Sequence, residues 1–185
     1  MKVGLVGCGL IGRKRATVLS ECNDSELVIV ADIDAVRAGQ LAQEHQCEAT
    51  TDWEQAVQHS QVEAVIVSTV NKALAPVTIA AARAGKHILC EKPLGRNPDE
   101  ARQMIEAARA NGVVLKTGFN HRYHPGIRKA HEITRSGGIG APHFIRCVYG
   151  HGGRPGYDKE WRADPDLAGG GELLDQGVHV VDLCR

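Results

Sequence analysis

The chain has 185 residues, with Lys+Arg and Asp+Glu both at 22 and a formal net charge of zero. That balance, with an aromatic share of 4% and no long basic run, offers neither an electrostatic footprint nor a stacking platform for nucleic acid. No apolar stretch approaches a membrane span, and the opening run Met1-Lys2-Val3-Gly4-Leu5-Val6 is too short for a secretory signal core. The six cysteines are irregularly spaced without a C-x-x-C pair, so they read as reduced thiols of a cytoplasmic protein rather than a disulfide or zinc framework.

In chain order, short apolar runs alternate with helical patterns. Strands are predicted at 3–6, 27–31, 64–67, 87–90 and 113–117, with a weaker one at 47–49. Helices are predicted at 11–20, 35–44, 53–59, 73–84 and 98–110; Asp34, Asp52 and Asn97 stand where N-caps belong, and Gly85 and Gly112 follow helix ends. Strands and helices alternating at this spacing predict βαβ units and a doubly wound parallel sheet, α/β in class. After Thr117 the texture changes. A helix is predicted at 125–136, a strand at 143–149, a loop rich in Gly, Pro and charge at 151–171, and a helix at 172–184 with apolar Leu173, Leu174, Val178, Val181 and Leu183. The division expected is 1–120 as a nucleotide-binding domain and 121–185 as the front part of an α+β catalytic domain. The last helix reaches Arg185 without a stop signal and the late strand has no partner strand, so the chain reads as part of a longer polypeptide.

Gly7-Cys8-Gly9-Leu10-Ile11-Gly12 fits G-x-G-x-x-G. The pattern alone is weak, but here it follows a predicted strand and opens a predicted helix, the setting in which it binds a dinucleotide. The first glycine permits the tight turn, the second lets backbone approach the pyrophosphate, and the third lets helix and strand pack. The helix N-terminus offers free N–H groups and the positive end of its dipole. Asp32 ends the second strand about 20 residues further on, where a carboxylate accepts from the ribose hydroxyls and repels a 2′-phosphate. Ile33 brings no positive charge and Arg37 lies further along, so NAD is favoured over NADP. A glycine turn serving another phosphate is the alternative.

Two further elements carry chemistry. Glu91-Lys92-Pro93 follows the fifth strand, and ligands of open parallel sheets bind beyond the strands' carboxyl ends. In isolation such a lysine is surface charge. In Gly169-Gly170-Gly171-Glu172-Leu173-Leu174-Asp175-Gln176-Gly177-Val178-His179-Val180-Val181-Asp182, Asp175 and His179 stand four apart on one helix face, with Asp182 close to it. A carboxylate beside an imidazole orients it and raises its basicity; a solvated polar stripe would look the same. A metal site is not expected, because no third ligand stands at a suitable spacing.

Taken together, the Gly7–Gly12 turn, Asp32, Ser68-Thr69 with Asn71, Glu91-Lys92-Pro93, Gly118-Phe119-Asn120-His121-Arg122, Trp161-Arg162 and the 169–182 stretch resemble the glucose–fructose oxidoreductase / inositol dehydrogenase (Gfo/Idh/MocA-like) family along essentially the whole chain. The resemblance implies a Rossmann domain followed by an α/β domain with an open antiparallel sheet, a chain well over this length, and a homo-oligomer. It implies Lys92, Asp175 and His179 as the catalytic set, with a cis Lys92–Pro93 peptide. Gly7, Gly9, Leu10, Ile11, Gly12, Asp32, Ser68, Thr69, Asn71, Glu91, Lys92 and Asn120 would hold NAD. Lys92, Arg122, Trp161, Arg162, Asp175 and His179 would meet the substrate, a small sugar or polyol. One departure stands out: Val70, Asn71 and Leu74 occupy positions where the family often has Pro, Asn and His, which puts local ribose or nicotinamide contacts in doubt.

The reaction expected is hydride transfer between nicotinamide and a secondary alcohol of a sugar, cyclitol or derivative, with His179 as base oriented by Asp175 and Lys92 holding the hydroxyl. Two alternatives stand beside it: a glycosidase that uses NAD transiently through oxidation and elimination, and a non-catalytic NAD-binding regulator. Net NADH from a polyol marks the first reading, aryl glycoside cleavage without net NADH the second, and binding alone the third. Arg154 and Lys159 in the predicted loop would suit a phosphate, a carboxylate or a nucleotide-linked sugar, or be solvated surface.

Overall fold

The computed structural model describes residues 1–150 and 155–185, so Arg154 lies outside the described residues. Its first part is a six-stranded parallel sheet in the order β3-β2-β1-β4-β5-β6, formed by β1 (Lys2–Val6), β2 (Glu26–Ala31), β3 (Glu48–Thr50), β4 (Ala64–Val67), β5 (His87–Cys90) and β6 (Leu115–Thr117). This is the Rossmann order, reached by winding outward in both directions from β1. The helices between strands are α1 (Leu10–Ser20), α2 (Ala35–His45), α3 (Trp53–Gln58), α4 (Asn71–Arg83) and α5 (Pro98–Ala110).

The central strands are apolar on both faces because helices cover both. Along β4, Val65 and Val67 point into a cluster with Val57 of α3, Leu74 and Val77 of α4 and Met104 of α5. The intervening Ile66 joins Leu5 and Val30 against Ala16 of α1 and Ala38 and Leu41 of α2. Leu5, Leu41, Leu74 and Met104 are completely buried; each such side chain contributes about 1.5–3 kcal/mol of transfer free energy. Helix starts are fixed locally: Asp34 accepts from Val36 N and Arg37 N, Asp52 from Glu54 N and Asn97 from Glu100 N, satisfying N–H groups that have no partner inside the helix.

Beyond β6 the chain runs through a 3-10 turn at Asn120–Tyr123, α6 (Pro125–Arg135), 3-10 turns at Tyr157–Lys159 and Trp161–Ala163, α7 (Pro165–Ala168), a π-helical turn at Leu173–Gly177 and α8 (Val178–Leu183). Three expectations are corrected here. Residues 143–149 form no strand: a ladder needs a neighbouring edge, no described strand runs beside them, and Phe144 and Val148 are exposed. The supposed loop contains α7, because Asp164 accepts from Asp166 N, Pro165 fills the first helical position and Gly169 closes the helix in the left-handed region. The last helix is not α-helical throughout; its first turn is widened into the π form, an insertion common at functional sites. No described helix is long and apolar enough to cross a membrane.

Candidate active site

The turn between β1 and α1 is built by close approach. Gly7 has φ +97°, and a Cβ there would stand 2.5 Å from the Ser68 carbonyl oxygen; at Gly12 it would stand 1.9 Å from the Gly7 oxygen. Side chains at either position would push apart β1, β4 and α1, which meet here. Ser68 Oγ donates to the Gly7 oxygen at 2.8 Å and clamps the turn to the end of β4. Gly9 differs: a Cβ there would meet nothing within 4 Å and would project into open space. As the N-cap of α1 it also leaves the first helical N–H groups without a side-chain cap. An open, uncapped helix N-terminus fits the pyrophosphate of a dinucleotide.

Asp32 stands at the end of β2, where its Oδ2 accepts from Cys8 N at 2.7 Å and its Oδ1 from Asp34 N at 2.9 Å. The same carboxylate thus orders the glycine turn and faces the groove. Arg37, the nearest candidate to offset it, is paired with Asp34 at 3.1 Å. Leu10 and Ile11, both exposed, line the groove wall, whereas burial and the neighbouring Asp32 push the Cys8 thiol up to about 12, an inert group.

A groove of about 1170 Å³ runs from this turn across the carboxyl ends of the strands to the second part of the chain. Its lining includes Gly7, Gly9, Leu10, Ile11, Asp32, Ser68, Thr69, Asn71, Glu91, Lys92, Asn120, Trp161, Arg162, Asp175 and His179. Residues from both parts of the chain therefore face one space, and the bond from Asn71 Nδ2 to the Ala168 oxygen at 2.9 Å joins those parts across 97 positions. That bond shows what Asn71 does in this fold: it is buried and ties the start of α4 to α7. Leu74, three residues on, is wholly inside the core. Thr69 Oγ1 donates to the Val70 oxygen, and Glu91 accepts from Arg15 Nε at 2.8 Å, joining the end of β5 to α1.

The Lys92–Pro93 peptide is cis. Lys92 Nζ donates to Asp175 Oδ1 at 2.7 Å and to the Asp175 main-chain oxygen at 2.6 Å, both side chains being largely buried. The opposite carboxylate oxygen, Oδ2, receives Gln176 Nε2 at 3.1 Å, Tyr157 OH at 3.4 Å and the Arg162 guanidinium at 3.3 Å. Burial alone would raise the Asp175 carboxyl; the Lys92 hydrogen bond and charge, helped by Arg162, hold it below the usual carboxylate range. Burial and the Asp175 charge raise the Tyr157 phenol.

His179 corrects the expectation of an imidazole made more basic by Asp175. No hydrogen bond joins the two; Asp175 is engaged by Lys92 and Arg162, and His179 Nδ1 is buried without a hydrogen-bond partner among the described residues. Burial, then His121 and Lys92, push the imidazole down to about 4 against the opposing pull of Asp175 and Asp182. It is therefore neutral around pH 7 and able to accept a proton. Arg122 is drawn away from its expected place: it pairs with Asp182, Nε to Oδ2 at 2.6 Å, and is not among the described groove-lining residues. Arg162 lies over the Trp161 ring at 4.5 Å and also reaches Glu160. The structure adds Tyr157, Gln176 and His121 to the site. His121 and Gln176 carried a sequence signal, through their places between Asn120 and Arg122 and next to Asp175 in the 169–182 stretch; Tyr157 carried none.

Comparison with known proteins agrees with this geometry. Residues 1–119 match the model of an oxidoreductase family with an NAD-binding Rossmann fold, GFO/IDH/MocA, and residues 127–185 match the C-terminal domain of that family. The chain belongs to the GFO/IDH/MocA family. Its relatives include the 1,5-anhydro-D-fructose reductase of Ensifer adhaerens, 37% identical over 98% of this chain and 55% of the relative. The myo-inositol 2-dehydrogenase of Thermotoga maritima is 31% identical over 100% of this chain and 54% of the relative. Among solved structures, levoglucosan dehydrogenase in complex with NADH and levoglucosan has a TM-score of 0.88 at 28% identity, covering 100% of this chain and 53% of that one. The chain thus spans about half the length of the curated relatives it matches.

Proposed function

We propose that this GFO/IDH/MocA chain carries the cofactor site and the reacting groups of an NAD-dependent dehydrogenase acting on CH–OH groups, with a secondary alcohol of a sugar, cyclitol or sugar derivative as substrate. The observation that carries the reading is the Lys92–Asp175 pair at 2.7 Å with neutral His179 in the same groove as the glycine turn. Relatives named as sugar and cyclitol oxidoreductases support it. Gly7, Gly9 and Gly12 would hold the pyrophosphate, Asp32 the ribose hydroxyls, and Leu10, Ile11, Ser68, Thr69, Glu91 and Asn120 the remaining wall. Residues 1–120 then act as the cofactor domain and 121–185 as the first part of the catalytic domain, within a cytoplasmic homo-oligomer.

When bound, NAD supplies the hydride acceptor or donor. The chain's own groups handle the proton: His179 takes it from the substrate hydroxyl, and Lys92 donates a hydrogen bond that stabilises charge developing on that oxygen. Asp175 pairs with Lys92 and aims it. Trp161 and Arg162 offer a flat wall and a donor to a ring substrate. In protein that shows polyol-dependent NADH formation, Lys92→Ala and His179→Ala are expected to lower turnover by at least about a hundredfold with NAD affinity little changed, because neither residue touches the glycine turn. Near-normal turnover in either variant removes that residue from its role.

A further inference from the structure

The ring lying against His179 belongs to a residue for which the proposed reaction has no use. His121, in the 3-10 turn after β6, stacks on His179 with centroids 3.8 Å apart and planes 13° from parallel. Tyr149 meets His121 edge-on at 5.4 Å, and Phe119 meets His179 edge-on at 6.0 Å. His179 is 4% exposed, while His121 is half-buried and lines the groove.

Imidazole nitrogens lie in the ring plane, so two rings stacked face to face share no hydrogen bond through their faces. The contact acts on His179 in two other ways. It fixes the plane of a ring whose Nδ1 has no hydrogen bond among the described residues. It also places a second ionisable ring at van der Waals spacing, where a proton on one ring strongly opposes a proton on the other even at the effective dielectric of a protein interior. The charged groups that face His179 pull in both directions. Lys92, after β5, repels a proton; Asp175, on the π turn, attracts one but is itself engaged by Lys92 and Arg162. Asp182, on α8 itself, attracts one but is paired with Arg122. After burial, the stacked imidazole is the foremost of the neighbours that oppose a proton on His179.

We propose that His121 is a positioning residue for His179: stacked flat on the buried imidazole, it fixes the plane of that ring and holds it in the uncharged, proton-accepting form. The inference rests on the reading of His179 as base, and the test separates the two. The His179 resonance, identified by its loss in His179→Gln, is titrated by NMR in the 185-residue protein. His121→Phe keeps a flat ring and removes the ionisable group; His121→Gln removes both without adding apolar surface, and serves if the Phe variant does not fold. Native His179 stays neutral down to about pH 4. In both variants its midpoint is expected to rise, on the order of one pH unit, and further in Gln, where water reaches the uncovered face. In catalytically active protein the acid limb of kcat/KM moves the same way. An unshifted midpoint in a folded variant overturns the proposal, even where His179→Ala abolishes turnover. A shifted midpoint with full turnover in His179→Ala keeps the coupling and overturns the base assignment.

Discussion

Up to Thr117 the chain hides apolar side chains; beyond it the pattern inverts. The first part buries Val, Leu, Ile and Met on both faces of a sheet, whereas the described residues after Gly118 that are buried are Ala168, Asp175 and His179. α6 buries nothing, and Leu173 and Val181 are exposed on the segment that holds Asp175 and His179. Each of the three buried residues faces the first part or its groove: Ala168 takes the Asn71 hydrogen bond, Asp175 takes Lys92, and His179 lines the groove. One part is held by the hydrophobic effect, which is insensitive to geometry. The other is docked through directed polar bonds, whose strength depends on charge state and alignment.

The sharpest way to break this contrast is by truncation. Leu74→Ala, in the sealed core, is expected to cost about 2–5 kcal/mol of stability, and Val181→Ala, 63% exposed, within about half a kcal/mol. Equal losses in urea denaturation would mean that α8 is packed as firmly as the sheet.

Acid tests the docking side. His179 is depressed from an ordinary 6.5 to about 4, so an opened state binds a proton that the docked state refuses. Its stabilisation is complete above about pH 6.5 and is lost as pH falls towards 4. Amide protection in residues 173–183, corrected for intrinsic exchange, should drop on the order of a hundredfold over that window, while protection in β1 and β4 holds. Asp175, also depressed, adds a further loss below the ordinary carboxylate value. Parallel loss in both parts would show a single cooperative unit instead of a docked one.

The glycine turn separates fold from binding within one motif. Gly12→Ala drives a methyl into the Gly7 carbonyl and should cost about 1–3 kcal/mol or more. Gly9→Ala meets nothing and should leave the melting temperature unchanged while weakening NAD. A Gly9 variant that melts early would place that residue in the packing. The mildest effect is expected at Asp32: Asp32→Ala should weaken NAD about tenfold, the worth of a hydrogen bond to a charged group, and relax discrimination against NADP. Unchanged affinity and selectivity in a binding titration would leave Asp32 with its backbone contacts alone.

The contrast also explains what could be read in advance. The strands at 64–67 and 87–90, the caps Asp34, Asp52 and Asn97 and the glycine turn were legible because each depends on neighbours a few residues away. The failures lie where distant partners decide. A strand at 143–149 needs an edge to pair with, and apolar alternation does not supply one. An α-helical spacing across Asp175 and His179 placed them on one face but gave no sign of the π turn or of Lys92, 83 residues away, as the partner that takes Asp175 from His179.

By itself the sequence determined the sheet, its winding and the phosphate turn, because short apolar runs, capping side chains and the steric freedom of glycine are local properties. Only the tertiary structure decided the charge states and pairings of the site. It set Arg122 on Asp182, Asn71 on Ala168 and His121 flat against His179. Burial, which no residue carries in its own chemistry, turned an imidazole expected to be more basic into a neutral one.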